Sequence, residues 1–92
     1  MTDVVETFRK IGYAGEIKVI TIQTSAACAT GHTIDLNTDV ADGRGQAVKE
    51  ILNTLLQDDA GADKTCTWVP GTGIITMGTI STGIHNITIF AR

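Results

Sequence analysis

A chain of 92 residues with a formal net charge of −3, 42% hydrophobic and 18% charged, has the size of one domain, and 1–92 is read as a single unit. The longest basic run is Arg9-Lys10, so the clustered Lys/Arg face of a nucleic-acid binder is missing, and the density of Ile, Val and Thr excludes a disordered chain. No apolar run is long enough to cross a bilayer as a helix. The acid in Met1-Thr2-Asp3-Val4 is unlike the basic start of a secretory signal, so the expected place of synthesis is the cytoplasm.

Along the chain, Val4, Val5, Phe8 and Ile11 share one face of a helical wheel before Gly12 and Gly15 interrupt, so residues 1–15 read as a short helix or an extended N-terminal arm. Residues 16–24, EIKVITIQT, are β-branched and read as a strand. Their apolar parity changes from Ile17 and Val19 to Ile20 and Ile22, which calls for cover on both faces or a bulge. After a loop over 25–31, His32, Ile34 and Leu36 alternate with Thr33 and Asp35. Residues 37–45 are a polar, Gly-containing loop.

Residues 46–57 admit two readings. Ala47, Val48, Ile51, Leu52, Leu55 and Leu56 form a helical stripe, whereas a strand here needs cover on both faces. Beyond the turn over 58–64, residues 65–69, 74–80 and 84–90 read as the strands of a β-meander joined by short turns. Between Asp35 and Lys64 lie seven acids and three bases, and after Lys64 only Arg92 carries a full charge. A tail so poor in charge is expected to pack against the rest of the fold or another subunit.

Candidate chemistry is sparse. Asp35-Leu36-Asn37-Thr38-Asp39 opens like a calcium loop, but Val40 stands where the turn glycine belongs and Gln46 where the bidentate Glu belongs. His32 and His85, with Cys28 and Cys66, lack the paired spacing of a zinc site. Cys66, beside Trp68 in a strand, reads as a buried thiol rather than an activated nucleophile. Both cysteines are expected to be free in a reducing compartment. No catalytic, cofactor or metal site is therefore assigned, and no enzymatic activity is expected.

Three segments, GHTIDL (31–36), QDDAGADKTCTW (57–68) and GIITMGTISTGIHNITIF (73–90), resemble together the small structural proteins of tailed-bacteriophage virions, in particular capsid decoration or cement proteins. The resemblance is one of Thr-, Gly- and Ile-rich texture over about residues 16–92. It implies an all-β fold, a small sandwich or barrel-like meander of short hairpins, with 48–57 a strand paired to 64–69. The alternative is an α+β fold with a helix at 46–57 on a sheet. The implied function is non-enzymatic binding and stabilisation of a capsid shell, at the virion surface. The implied partners are the major capsid protein or other virion proteins and further copies of the chain, with no nucleic acid and no membrane. The competing function is a small cytosolic oligomeric adaptor. On either reading, the interface candidates are Val4, Val5, Phe8, Trp68, Ile87, Ile89 and Phe90.

Overall fold

The computed structural model describes residues 4–37 and 48–92. Eight strands follow in chain order: β1 (Glu6–Ala14), β2 (Ile17–Thr24), β3 (Thr33–Asp35), β4 (Ile51–Asp58), β5 (Asp63–Lys64), β6 (Cys66–Val69), β7 (Ile74–Met77) and β8 (His85–Ala91). They form two antiparallel sheets, one ordered β1-β2-β8-β4-β5 and the other β3-β7-β6, and the described residues contain no helix. The fold is all-β, as the texture of the sequence implies.

The inner faces of the two sheets meet in a single core. Ile20 and Ile22 of β2, Ile87 and Ile89 of β8, and Ile51 and Leu56 of β4 pack with Ile34 of β3 and with Ile75 and Met77 of β7. Alternation along each strand sends these side chains inward and their neighbours outward, which is how two half-buried sheets share one apolar layer.

The helical stripe at 46–57 is resolved in favour of strand over the described part, since β4 begins at Ile51; residues 46 and 47 lie outside the described residues. A bulge explains the mimicry. The register of β4 on β8 shifts between Ile51 and Asn53, so Ile51 and Leu56, an odd number of residues apart, both point into the core. Leu52 and Leu55 are left exposed. In β2, by contrast, the pairing is regular, and the outer face is not covered either, since Ile17 on it is exposed. Ile20, Ile22 and Thr24 are buried on the inner face, while Val19 is half-buried on the outer one.

Three expectations about connectivity are corrected. The N-terminal segment is extended rather than helical over Glu6–Ala14, and there it is a sheet strand and not an arm, because that stretch pairs with β2 along its length. Strand β4 does not pair with the whole of 64–69. It meets only Asp63 and Lys64, after which the chain turns a corner at Thr65 and Cys66–Val69 joins β7 in the other sheet. The tail is not a continuous meander, since β7 and β8 lie in different sheets and β8 sits between β2 and β4. The Thr65 corner is held by the Gly78 N–H donating to the Thr65 carbonyl at 2.9 Å. A Cβ at Gly78 would lie 2.6 Å from that oxygen, so this crossing requires glycine.

Asn37 bonds to Val48, the next residue described after it. Its Oδ1 accepts from the Val48 N–H at 2.6 Å and its Nδ2 donates to the Val48 carbonyl at 3.2 Å. The carboxamide thus pairs with main chain as a neighbouring strand would, joining the two described ends of the 38–47 segment.

Candidate interaction surface

Among the described residues, the titratable groups are spread over the fold. Asp58 ends β4, and its Oδ1 accepts from the Ala60 and Ala62 N–H groups at 2.9 Å each, a turn built by an aspartate on its own backbone. The Ala62 N–H above all, then the Ala60 N–H and the Lys64 ammonium, hold the Asp58 carboxyl below the usual carboxylate range. His85 is buried at the start of β8. Its Nδ1 lies 2.9 Å from the Gly83 carbonyl and takes the donor role there, while its Nε2 has no partner. The Nδ1 of His32 accepts from the Ala29 N–H at 3.3 Å.

Cys28 and Cys66 are both free. Burial pushes each thiol up from its ordinary value, against smaller opposing hydrogen bonds from Thr24 and Thr54. A thiol held protonated is a poor nucleophile. Among the described residues, no three His, Cys, Asp or Glu side chains come together as a metal set. Asp35 and Asn37 of the calcium-like run stay local, with Asp35 Oδ1 accepting from the Asn37 N–H at 2.9 Å; Asp39, Val40 and Gln46 lie outside the described residues. A shallow groove of about 500 Å³ is lined by Glu16, Lys18, Lys49, Glu50 and Arg92. Arg92 and Glu50 pair across it at 3.2 Å, and the mixed charge reads as a solvated ion cluster.

The interface candidates divide into three groups. Ile87 and Ile89 are 0% exposed inside the chain's own core, so their place in an interface is withdrawn. As inner-face residues of a strand flanked on both sides, they are consumed by folding. Val4 is buried too, with its N–H donating to the Thr33 carbonyl at 2.7 Å. Trp68 is half-buried against the core opposite Ile75. The remaining three reach the surface: Val5 and Phe8 are exposed, and Phe90 is half-buried and points away from the core.

Phe8 and Phe90 belong to one outer face of the five-stranded sheet. The strand registers place Phe8, Gln23, Asn86, Gln57 and Asp63 in one cross-strand row. Lys10, Thr21, Thr88 and Leu55 form the next, and Gly12, Val19, Phe90 and Asn53 the third. The charged residues in these rows are Lys10 on β1 and Asp63 at the far end, on β5, where its Oδ1 accepts from the Gln57 Nε2 at 3.3 Å. Phe8 is 48% and Leu55 56% exposed. Reading the sequence missed Leu55, Val19 and Thr88 as surface candidates; the alternation along 84–90 was the available signal, without the knowledge of which parity faced in.

No family model, curated protein or solved structure matches the chain.

Proposed function

We propose that this protein is a non-enzymatic structural protein that binds the outside of a viral capsid shell in many copies and stabilises it, using the outer face of its five-stranded sheet. The observation that carries the reading is the chemistry of that face. An antiparallel face left to water normally carries Lys and Glu among its outward residues. Here the three rows hold Thr, Asn, Gln and apolar side chains across β2, β8 and β4, with charge at the two edges alone, Lys10 on β1 and Asp63 on β5. Groups of this kind are covered at low desolvation cost, because a hydroxyl or carboxamide needs few partners. The acids Asp58 and Asp59 sit instead at the β4–β5 turn, where they keep an attached copy soluble.

Size decides how the face is used. With strands about 4.8 Å apart and alternate rows about 6.8 Å apart, it spans roughly 20 Å by 20 Å. That is about half of the ~800 Å² that a standard interface takes from each partner. One face attaches weakly, and firm attachment calls for linked copies.

The test uses shells prepared without the protein. Co-sedimentation is expected to show saturable binding of many copies and a raised melting temperature of the shell. Leu55→Glu and Thr88→Glu, both outward on neighbouring strands, each place a carboxylate at the centre of the face and are expected to weaken binding about tenfold or more, as a buried unpaired charge does. An unbound wild type, or binding that ignores both substitutions, overturns the proposal in favour of an adaptor that works off the shell.

A further inference from the structure

The edges of the two sheets are unequal. Strand β5 is two residues long, and β3, three residues long, is flanked by Val4, whose N–H bonds to Thr33. Strand β6 is capped where the Ile51 N–H donates to the Pro70 carbonyl at 3.0 Å. Strand β1 is nine residues long and, among the described residues, pairs on one side alone. Long open edges are what natural proteins shorten, bulge or charge unless another strand is to be added. The bulge in β1 lies at its start, between Glu6 and Phe8, and Phe8–Ala14 runs on in regular register.

Which main-chain groups face the open side follows from the turn. Gly15, at φ 64°, opens a two-residue connection between the paired Ala14 and Ile17. A connection of that length makes Ala14 and Ile17 a mutually hydrogen-bonded pair. Alternation then gives Gly12, Lys10 and Phe8 to β2 and turns the N–H and C=O groups of Tyr13, Ile11 and Arg9 outward. None of these outward groups makes a main-chain bond outside the β1–β2 pair among the described residues.

We propose that this edge is a homodimer seam, on which β1 of a second copy pairs antiparallel about a two-fold axis through Ile11. Centring on Ile11 sets Ile11 against the partner's Ile11 and Arg9 against the partner's Tyr13, each an exchange between outward-facing groups. Between them, Lys10 falls opposite the partner's Gly12 and Phe8 opposite the partner's Ala14. Centring one residue earlier sets Lys10 against the partner's Lys10, which like charges oppose. Centring one residue later carries Arg9 past the end of the strand to the partner's Gly15. Charge does not bar the Ile11 register, because the Arg9 guanidinium is folded back onto Glu6 at 2.6 Å and onto the Leu36 carbonyl at 3.2 Å, and the two exposed Lys10 side chains lie diagonally, about 7–8 Å apart, rather than directly opposite. The two aromatic side chains of β1, Phe8 at 48% and Tyr13 at 69% exposure, flank the seam and are covered by it. The seam joins the outer faces of two copies into one surface, though it stands on the edge geometry alone and not on the shell reading.

The test is residue-resolved amide exchange of the unmodified chain from low micromolar to near-millimolar concentration, with its mass followed by light scattering. The mass is expected to double. The Arg9, Ile11 and Tyr13 amides are expected to gain about tenfold or more in protection as it does, while Phe8, Lys10 and Gly12 are protected throughout. Tyr13→Pro deletes one outward N–H from an exposed position and is expected to stay folded and monomeric. A mass that stays monomeric, a dimer in which 9, 11 and 13 exchange as in dilute protein, or a folded Tyr13→Pro dimer overturns the proposal. The exchange pattern of the wild type decides even if Tyr13→Pro fails to fold.

Discussion

The glycine at the sheet crossing offers a sharp test of the fold. Replacing Gly78 with alanine places a Cβ 2.6 Å from the Thr65 carbonyl oxygen and 2.7 Å from its hydroxyl. The carbonyl is backbone and is already fixed by the Gly78 N–H at 2.9 Å, so the methyl cannot be accommodated by turning a side chain. Either the corner opens and loses that bond, or β7 shifts against its partners. Overpacking of this kind costs about 1–3 kcal/mol. For a domain of this size each 1 kcal/mol moves the melting temperature by about 4–8 °C. Gly83→Ala supplies the control, since nothing lies within 4 Å of its Cβ position and its φ is not in the left-handed region. There the loss of unfolded-state freedom is expected to raise stability by about 0.4–1 kcal/mol. Thermal unfolding followed by circular dichroism compares the pair. Equal melting temperatures for wild type and Gly78→Ala, or an equal fall for both variants, would refute the corner geometry.

Other outcomes follow from the core and the turns. Ile89→Ala, which empties a fully buried site between the sheets, is expected to cost about 2–5 kcal/mol in urea unfolding with little change in m-value. Asp58 is held below its ordinary value of 3.8, so its stabilisation is complete above that pH and lost as pH falls through the lower folded value. Asp58→Asn is therefore expected to destabilise the fold at neutral pH and to flatten the acid limb of the stability profile, measured by urea midpoints across pH. Cys28 is 1% exposed and Cys66 half-buried. Both are expected to resist an aromatic disulfide reagent at neutral pH in the native state and to react at once in urea, Cys66 the faster of the two in native protein.

What could be read from the sequence was local. The β-branched runs that became β2, β6, β7 and β8 were legible, because strand propensity and turn residues agree there. The partition into two sheets was not. It depends on the break at Thr65 and on the Gly78 crossing, where the close approach is a three-dimensional fact with no local composition signal. The stripe over 46–57 looked helical because a bulge at Leu52 breaks the period of two. The N-terminal segment misled in the same way: Val4, Val5, Phe8 and Ile11 suit a helix, yet Val4 is buried beside β3, Val5 and Phe8 are exposed, and Ile11 packs on the core from an edge strand. At the surface, the sequence points to Ile87 and Ile89 rather than Thr88 because the parity of a lone strand does not reveal which face is inward. The packing of the β3-β7-β6 sheet against the Ile87 and Ile89 face settles it.

The claim that this chain is a shell-bound structural protein is tested most directly by composition. Quantitative mass spectrometry of purified particles made by the genome that encodes it measures the copies of this chain per copy of the major shell protein. The account predicts a fixed stoichiometry of many copies per particle, removed by washing conditions that leave the shell itself intact. Particles that lack the chain, or that carry it only inside the shell or in the tail, would contradict it.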